Sequence, residues 1–179
     1  MGLTVLTGPV ASGKSRLAQR LASTWPGPVT AIVTAEALDV EMSTRIERHR
    51  ASRPAAWDLI ESPLDLEGAL AAVADDVFVI VDCLTLWASN QLGAGASPEE
   101  LIVLAASAAK VAADRPSPTV VVTNEVGWGI VPMNELARSY RDVLGRINAA
   151  FVDAADRSAV VVAGRAIPLP STDDSALLS

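Results

Sequence analysis

Residues 8–15 read Gly8-Pro9-Val10-Ala11-Ser12-Gly13-Lys14-Ser15, and this stretch decides the fold. An apolar run at residues 3–6 precedes it and a helical pattern at residues 14–23 follows it, so it marks a turn from a first strand into a first helix. Glycines at both ends of such a turn let backbone N–H groups converge on a phosphate at the helix N-terminus. Lys14 is then placed to reach the β- and γ-phosphates of a nucleotide, and the Ser15 hydroxyl to bind Mg²⁺. The sequence therefore predicts that residues 8–15 bind a nucleoside triphosphate.

Short β-branched runs alternate with stretches of helical periodicity along the rest of the chain. This alternation is typical of βαβ units that form a mostly parallel sheet with helices on both faces. We predict strands at residues 3–6, 29–33, 77–81, 119–123 and 159–163, a short strand candidate at 57–60, and helices at residues 14–23, 38–51, 64–74, 98–113 and 135–154. The predicted fold class is α/β, with a single domain over residues 1–169 and a flexible C-terminal tail over residues 170–179.

Composition narrows the class of protein. The 179 residues are 50% hydrophobic, which suits one domain with a sizeable core, and the formal net charge of -7 argues against nucleic acid or an anionic membrane as the partner. The single cysteine, Cys83, excludes an internal disulfide. There is neither an export signal nor an apolar run long enough to span a bilayer. We therefore expect a cytoplasmic protein without membrane insertion.

A carboxylate follows the most apolar of the predicted strands. Asp82 comes directly after residues 77–81, where a second Mg²⁺ ligand is expected in a phosphate-binding fold of this kind. The alternative is that Asp82 only caps the turn that follows the strand. The neighbouring Cys83 is expected to pack rather than to react, because buried free thiols usually do so.

The single histidine lies within a cluster of arginines in an otherwise acidic chain. His49 is surrounded by Arg45, Arg48, Arg50 and Arg53, and on a helix Arg45 and His49 lie on the same face. The neighbouring cations disfavour the imidazolium form, so the imidazole is available to attack a nucleotide α-phosphate while the arginines neutralise the departing pyrophosphate. The alternative is that His49 is a half-buried packing residue on a solvated charged helix.

Four stretches together resemble one protein family. They are the loop at residues 8–15, the run Arg45-Ile46-Glu47-Arg48-His49-Arg50-Ala51-Ser52-Arg53-Pro54-Ala55-Ala56-Trp57, the run Asp82-Cys83-Leu84-Thr85, and the run Thr123-Asn124-Glu125-Val126-Gly127-Trp128-Gly129-Ile130-Val131-Pro132. The chain resembles the bifunctional adenosylcobinamide kinase/adenosylcobinamide-phosphate guanylyltransferase family of cobalamin biosynthesis, from residue 3 to about residue 169.

The resemblance implies a P-loop NTPase (RecA-like) fold and two activities. ATP or GTP phosphorylates adenosylcobinamide, a corrinoid, and GTP then supplies GMP through a guanylyl-histidine to give adenosylcobinamide-GDP. The resemblance also implies a homo-oligomer, a trimer. Carried over by position, His49 is catalytic, Ser15 and Asp82 hold Mg²⁺, and the nucleotide contacts are Gly8, Pro9, Val10, Ala11, Ser12, Gly13, Lys14, Ser15, Val33, Thr34, Ala35, Arg50, Ala51, Ser52, Arg53, Glu61 and Asp82.

Two residues of the loop depart from the pattern of that family. Pro9 and Ala11 stand where the family usually has glycine and arginine, which removes one N–H donor and one cation. Two single-activity alternatives therefore stay open, a small-molecule P-loop kinase and a guanylyltransferase without kinase activity.

A regulatory GTP-binding switch is disfavoured, because Asn124 is followed by Glu125 and not by the lysine of an Asn-Lys-x-Asp motif. The glycine-containing stretch 124–132 is predicted to be a ligand-binding loop, and the alternatives are a well-packed turn leading into the last long helix or a subunit contact.

Overall fold

The structure is a computed structural model that describes residues 2–36, 40–51 and 53–170, with the side chains of Glu41, Met42, Arg45 and Arg48 outside the description. The predicted contact Ser52 and residues 171–179 of the predicted tail therefore lie outside the described residues. So do the side chains of Arg45 and Arg48 in the predicted arginine cluster.

Seven strands form one sheet. In chain order they are β1 (Leu3–Thr7), β2 (Val29–Val33), β3 (Asp58–Glu61), β4 (Phe78–Asp82), β5 (Thr119–Val122), β6 (Arg157–Val162) and β7 (Arg165–Leu169). Their order across the sheet is β3-β2-β4-β5-β1-β6-β7. Every pair is parallel except β6 with β7, which are antiparallel. The predicted α/β class with a mostly parallel sheet is confirmed.

Helices cover the sheet on both faces. They are α1 (Lys14–Ala22), α2 (Val40–Ala51), α3 (Leu66–Ala72), α4 (Leu84–Gly93), α5 (Pro98–Asp114) and α6 (Glu135–Asp153). Alternate residues of β4 belong to two separate apolar clusters, Val79 and Val81 to one and Phe78 and Ile80 to the other. Because side chains alternate between the faces of a strand, the two clusters lie on opposite faces of the sheet. Among the described residues, no helix combines the length and apolar character needed to cross a membrane.

The structure adds two elements that the sequence analysis did not predict. Helix α4 begins at Leu84, and the side chain of its N-cap residue Cys83 makes no capping hydrogen bond, so the usual sign of a helix start is missing. Strand β7 is exposed along its whole length and contains Pro168, which is tolerated because β7 is an edge strand. The turn between β6 and β7 reaches the functional site described below.

Candidate active site

One large cavity opens at the carboxyl ends of the parallel strands, where ligands bind in open α/β sheets. Its volume is about 910 Å³, within the range of small-molecule sites. The phosphate-binding loop forms one wall and α2 another, and the carboxyl ends of β2, β3 and β4 lie between them.

The loop between β1 and α1 has the backbone conformation that its sequence predicts. Gly8 and Gly13 have positive φ angles of 137° and 100°, and a Cβ atom at residue 8 would collide with the carbonyl oxygen of Val161. Only glycine therefore fits at residue 8. Ala11 also has a positive φ, 58°, which is unusual for a residue with a side chain. The loop is therefore held in a defined shape between β6 and the start of α1.

Lys14 points its amine into this loop. The Nζ atom donates hydrogen bonds to the carbonyl oxygens of Gly8 at 2.9 Å and Pro9 at 2.7 Å, and the residue is 5% exposed. Pro9 lacks an N–H donor but supplies this carbonyl acceptor. The buried ammonium is thus held at the centre of the loop, where the phosphates of a nucleotide would bind.

Asp82, the last residue of β4, joins three side chains from different parts of the chain. The Ser15 hydroxyl donates to Oδ1 at 3.2 Å, Arg53 Nη2 donates to Oδ2 at 3.0 Å, and Nδ1 of His49 lies 3.7 Å from Oδ2. Burial raises the pKa of the Asp82 carboxyl, but the imidazole of His49 and the charge of Arg53 lower it more. The net result is a pKa below the ordinary value, so Asp82 is a carboxylate at neutral pH.

His49 reaches the cavity from helix α2. Its side chain is 39% exposed while that of Arg53 is 9% exposed, so the imidazole is accessible and the guanidinium is enclosed. Arg50, next to it in the chain, also lines the cavity. The structure thus brings the phosphate-binding loop, the predicted metal ligands and the predicted nucleophile into one site.

Comparison with known proteins identifies the family. Residues 4–169 match the family model described as CobU, cobinamide kinase / cobinamide phosphate guanyltransferase. The chain belongs to this family. It is 40% identical to the bifunctional adenosylcobalamin biosynthesis protein CobP of Pseudomonas aeruginosa, over 92% of this chain and 95% of that protein. It is 37% identical to the protein CobU of Salmonella typhimurium, over 90% of this chain and 96% of that protein. The family resemblance stated from the motifs is confirmed.

The fold of this cobinamide kinase / guanyltransferase family member is also found in a distant ATPase. An ATPase of a bacterial type III secretion system superposes with a TM-score of 0.52 at 13% identity, over 89% of this chain and 50% of that protein. The similarity concerns the fold alone. It agrees with the predicted fold.

Most of the nucleotide contacts predicted for this family line the cavity. They are Val10, Ala11, Ser12, Gly13, Lys14, Ser15, Val33, Ala35, Arg50, Arg53, Glu61 and Asp82, together with His49. Gly8, Pro9, Thr34 and Ala51 do not line it. Thr34 is fully buried, and its hydroxyl donates to the carbonyl oxygen of Cys83 at 2.7 Å and accepts from the Cys83 N–H at 3.0 Å. Its side chain therefore supports the turn after Asp82.

The cavity of the family member has further lining residues that the sequence analysis did not name as contacts. They are Arg16, Glu36, Ile46, Leu59, Pro63, Cys83, Leu86, Val122, Ala163 and Gly164. Asn124, the first residue of the stretch 124–132 with its predicted binding loop, also lines the cavity. Arg16 directly follows the phosphate-binding loop in the sequence, and this position could have predicted that it lines the cavity. No sequence pattern could have predicted the same for Ala163 and Gly164, because they lie about 150 residues from the loop in the sequence and reach it only through β6.

Burial raises the pKa of the Cys83 thiol and the charge of Asp82 raises it further, which agrees with a packing role for Cys83.

A polar network fixes the chain beside the loop. Glu125 Oε1 accepts hydrogen bonds from the Thr7 hydroxyl at 2.6 Å and from Asn148 Nδ2 at 3.1 Å. The Glu125 N–H donates to the Gly8 carbonyl oxygen at 3.0 Å, and the Thr123 hydroxyl donates to Asn148 Oδ1 at 2.6 Å. The start of the stretch 124–132 is therefore tied to the phosphate-binding loop and to α6.

Proposed function

We propose that this protein phosphorylates adenosylcobinamide with ATP or GTP and then transfers GMP from GTP, through a guanylyl intermediate on His49, to give adenosylcobinamide-GDP in the cytoplasm. One observation carries the proposal. Asp82 contacts both Ser15 of the phosphate-binding loop and the imidazole of His49, so a triphosphate held by the loop has a nucleophile at the same carboxylate. Family membership supports the two activities.

In the first step the loop holds the triphosphate while the substrate hydroxyl attacks. The hydroxyl oxygen forms a bond to the γ-phosphorus, the bond from that phosphorus to the bridging oxygen breaks, and the hydroxyl proton is released. Backbone N–H groups at the start of α1 and the buried Lys14 ammonium stabilise the charge on the phosphates. The nucleoside diphosphate then leaves.

The donor set of Ser15 and Asp82 fits Mg²⁺. A hydroxyl and a carboxylate 3.2 Å apart offer the hard oxygen ligands that Mg²⁺ prefers, so Ser15 and Asp82 would hold the ion together with the nucleotide phosphates. Within the described ranges no group of three or more His, Cys, Asp or Glu side chains is placed to hold a metal, so a site that shares its ligands with the substrate is expected. When bound, the ion neutralises charge on the β- and γ-phosphates.

In the second step GTP is repositioned in the loop, or His49 moves toward it, so that the imidazole attacks the α-phosphorus. A nitrogen–phosphorus bond forms, the bond from the α-phosphorus to its bridging oxygen breaks, and pyrophosphate leaves. Arg50 and Arg53 line the same cavity as His49 and would neutralise this leaving group. The phosphate of adenosylcobinamide-phosphate then displaces His49 and takes over the GMP group.

A homo-oligomer is part of the proposal. Trp128, Ile130 and Met133 are 64%, 97% and 98% exposed, which is unusual for large apolar side chains so close together. They follow the anchored residue Glu125. We propose that a second copy of the chain covers them, in the trimer that the family resemblance implies.

The experiment follows the conversion of adenosylcobinamide with GTP and Mg²⁺ by chromatography. The wild-type protein is expected to form adenosylcobinamide-phosphate and then adenosylcobinamide-GDP. His49→Ala is expected to stop at the phosphate, and Lys14→Ala to form neither product. Formation of adenosylcobinamide-GDP by His49→Ala at the wild-type rate would exclude the histidine route.

The second candidate function is guanylyl transfer without kinase activity. It is favoured by Pro9, which removes an N–H donor from the phosphate-binding loop, and by the positive φ of 58° at Ala11. The measurement is phosphorylation of adenosylcobinamide by ATP in the absence of GTP. A protein that fails this reaction but converts adenosylcobinamide-phosphate with GTP has the second function.

A further inference from the structure

The turn between β6 and β7 lines the cavity, and its two strands lie on the opposite side of β1 from β4, the strand that ends at Asp82. The Gly164 N–H donates to the carbonyl oxygen of Ser12 at 2.8 Å, which holds the turn against the phosphate-binding loop. Ala163 and Gly164 both have positive φ angles, 49° and 77°, so the turn is tight. In the sheet, β6 and β7 lie on one side of β1 and β4 lies on the other.

Arg16 lies over this turn. It is exposed, follows Ser15 in the first turn of α1 and lines the cavity. A Cβ atom at Gly164 would lie 3.2 Å from Arg16 Nη2, and one at Gly13 would lie 3.9 Å from it, so the guanidinium rests against two residues without side chains. Within the described part of the chain the guanidinium has neither a hydrogen bond nor an ion pair. A planar cation is thus available to a ligand.

The orientation of a triphosphate in the loop follows from the cavity-lining residues on the two sides of β1. Ser15 and Asp82 are the residues expected beside the β- and γ-phosphates, and they lie on the β4 side of the loop. The nucleoside at the other end of the phosphate chain is then directed to the opposite side. That side carries Arg16 and the turn at residues 163–164.

We propose that the guanidinium of Arg16 stacks on the purine base of the nucleotide that donates the γ-phosphate, and that residues 163–164 close this base subsite. The proposal rests on the proposed kinase activity. Guanidinium groups stack on π-systems, and stacking contacts the ring face without reading the Watson–Crick edge. The subsite therefore accepts adenine and guanine alike, and ATP and GTP both serve as phosphoryl donors.

The test compares a ligand that has a base with one that has only phosphates. Calorimetry measures the Kd of an ATP analogue with a non-hydrolysable β–γ bridge and of inorganic tripolyphosphate, both with Mg²⁺. For Arg16→Ala we expect the analogue Kd to rise about fivefold to thirtyfold and the tripolyphosphate Kd to change less than about twofold. Arg16→Lys keeps the charge but loses the plane, and it is expected to behave like Arg16→Ala.

Arg20→Ala is the matched control, because Arg20 is an exposed arginine one turn further along α1 that does not line the cavity. It is expected to leave both Kd values unchanged. If Arg16→Ala raises the Kd of both ligands equally, Arg16 is a phosphate contact and the base subsite is overturned. If Arg16→Ala changes neither Kd, the base subsite is likewise overturned. These measurements need no turnover, so a wild-type protein without kinase activity would refute the proposed function and not this binding result.

Discussion

Arg53 Nη2 lies 3.0 Å from Asp82 Oδ2, and the two side chains are only 9% and 11% exposed. This enclosed ion pair ties the segment after helix α2, which carries His49, to the end of β4. Asp82 also accepts from Ser15, so a single carboxylate couples the phosphate-binding loop to the arginine–histidine segment. Changes at this carboxylate should therefore affect stability, metal binding and guanylyl transfer together.

The ion pair makes stability depend on pH. Because the pKa of Asp82 in the folded protein is below its ordinary value of 3.8, the carboxylate stabilises the fold at pH values above 3.8, and this contribution is lost as the pH falls through the lowered folded value. Urea unfolding of the wild type and of Asp82→Asn should differ most near neutral pH, and the difference should shrink below about pH 4. A difference that grows on acidification would contradict the lowered pKa.

Removal of Arg53 takes from the buried Asp82 carboxylate its partner in the enclosed ion pair. Arg53→Ala should lower the free energy of unfolding by about 2 kcal/mol, the usual range for a hydrogen bond to a charged group. Arg141→Ala is the control, because Arg141 bonds the neighbouring Asp142, which is 66% exposed, and it should cost less than about 0.5 kcal/mol. Equal costs for the two variants would show that the Arg53–Asp82 pair does not stabilise the fold.

Gly8 is the glycine of the loop that tolerates a side chain least. Gly8→Ala places a methyl group against the Val161 carbonyl oxygen at a φ of 137°, so we expect a loss of more than about 2 kcal/mol of stability and at least tenfold weaker nucleotide binding. At Gly93, the last residue of α4, an added Cβ has nothing within 4 Å. Gly93→Ala should therefore be neutral or stabilising in the same denaturation and binding measurements. A Gly8→Ala protein with wild-type nucleotide affinity would show that the loop adapts.

The network around Asn148 should support the rate of catalysis. Asn148→Ala removes the partner of the Thr123 hydroxyl and one of the partners of Glu125, so we expect a loss of about 1–3 kcal/mol of stability. It should also lower kcat for both reactions, since Glu125 bonds the Gly8 carbonyl oxygen. Steady-state kinetics at a temperature where the variant is folded separates the two effects. Unchanged kcat in a destabilised variant would limit the network to a structural role.

Exposed apolar residues after β5 should control the oligomeric state. Ile130→Asp combined with Met133→Asp introduces charge where a second copy is proposed to bind, so light scattering should show a shift from the oligomer to the monomer. Val103→Asp is the control, since Val103 is also 69% exposed but lies on α5. An oligomer that persists in the double variant and dissociates in the control would place the interface elsewhere.

The sequence predicted those strands and helices that have a recognisable local pattern of residues. Apolar periodicity and the glycines of the loop were enough for β1, α1 and the parallel sheet, because those patterns reflect the faces that each element buries. Helix α4 was missed because it has no capping side chain, and β7 because it is exposed and contains proline. In the site, His49 and Asp82 were predicted from their chemistry and neighbours. Their contact, and the approach of Gly164 to Ser12, depend on the pairing of distant strands, which no local pattern encodes.

In the proposed reaction His49 carries the GMP group between GTP and the corrinoid substrate. The most direct measurement incubates the protein with Mg²⁺ and GTP labelled at the α-phosphate, and then locates the acid-labile label by peptide mass spectrometry. We predict about one label per chain, on His49, and none in His49→Ala. Transfer of GMP to adenosylcobinamide-phosphate by the wild-type protein without labelling of His49 would contradict the guanylyl-histidine, and so would equal labelling of His49→Ala.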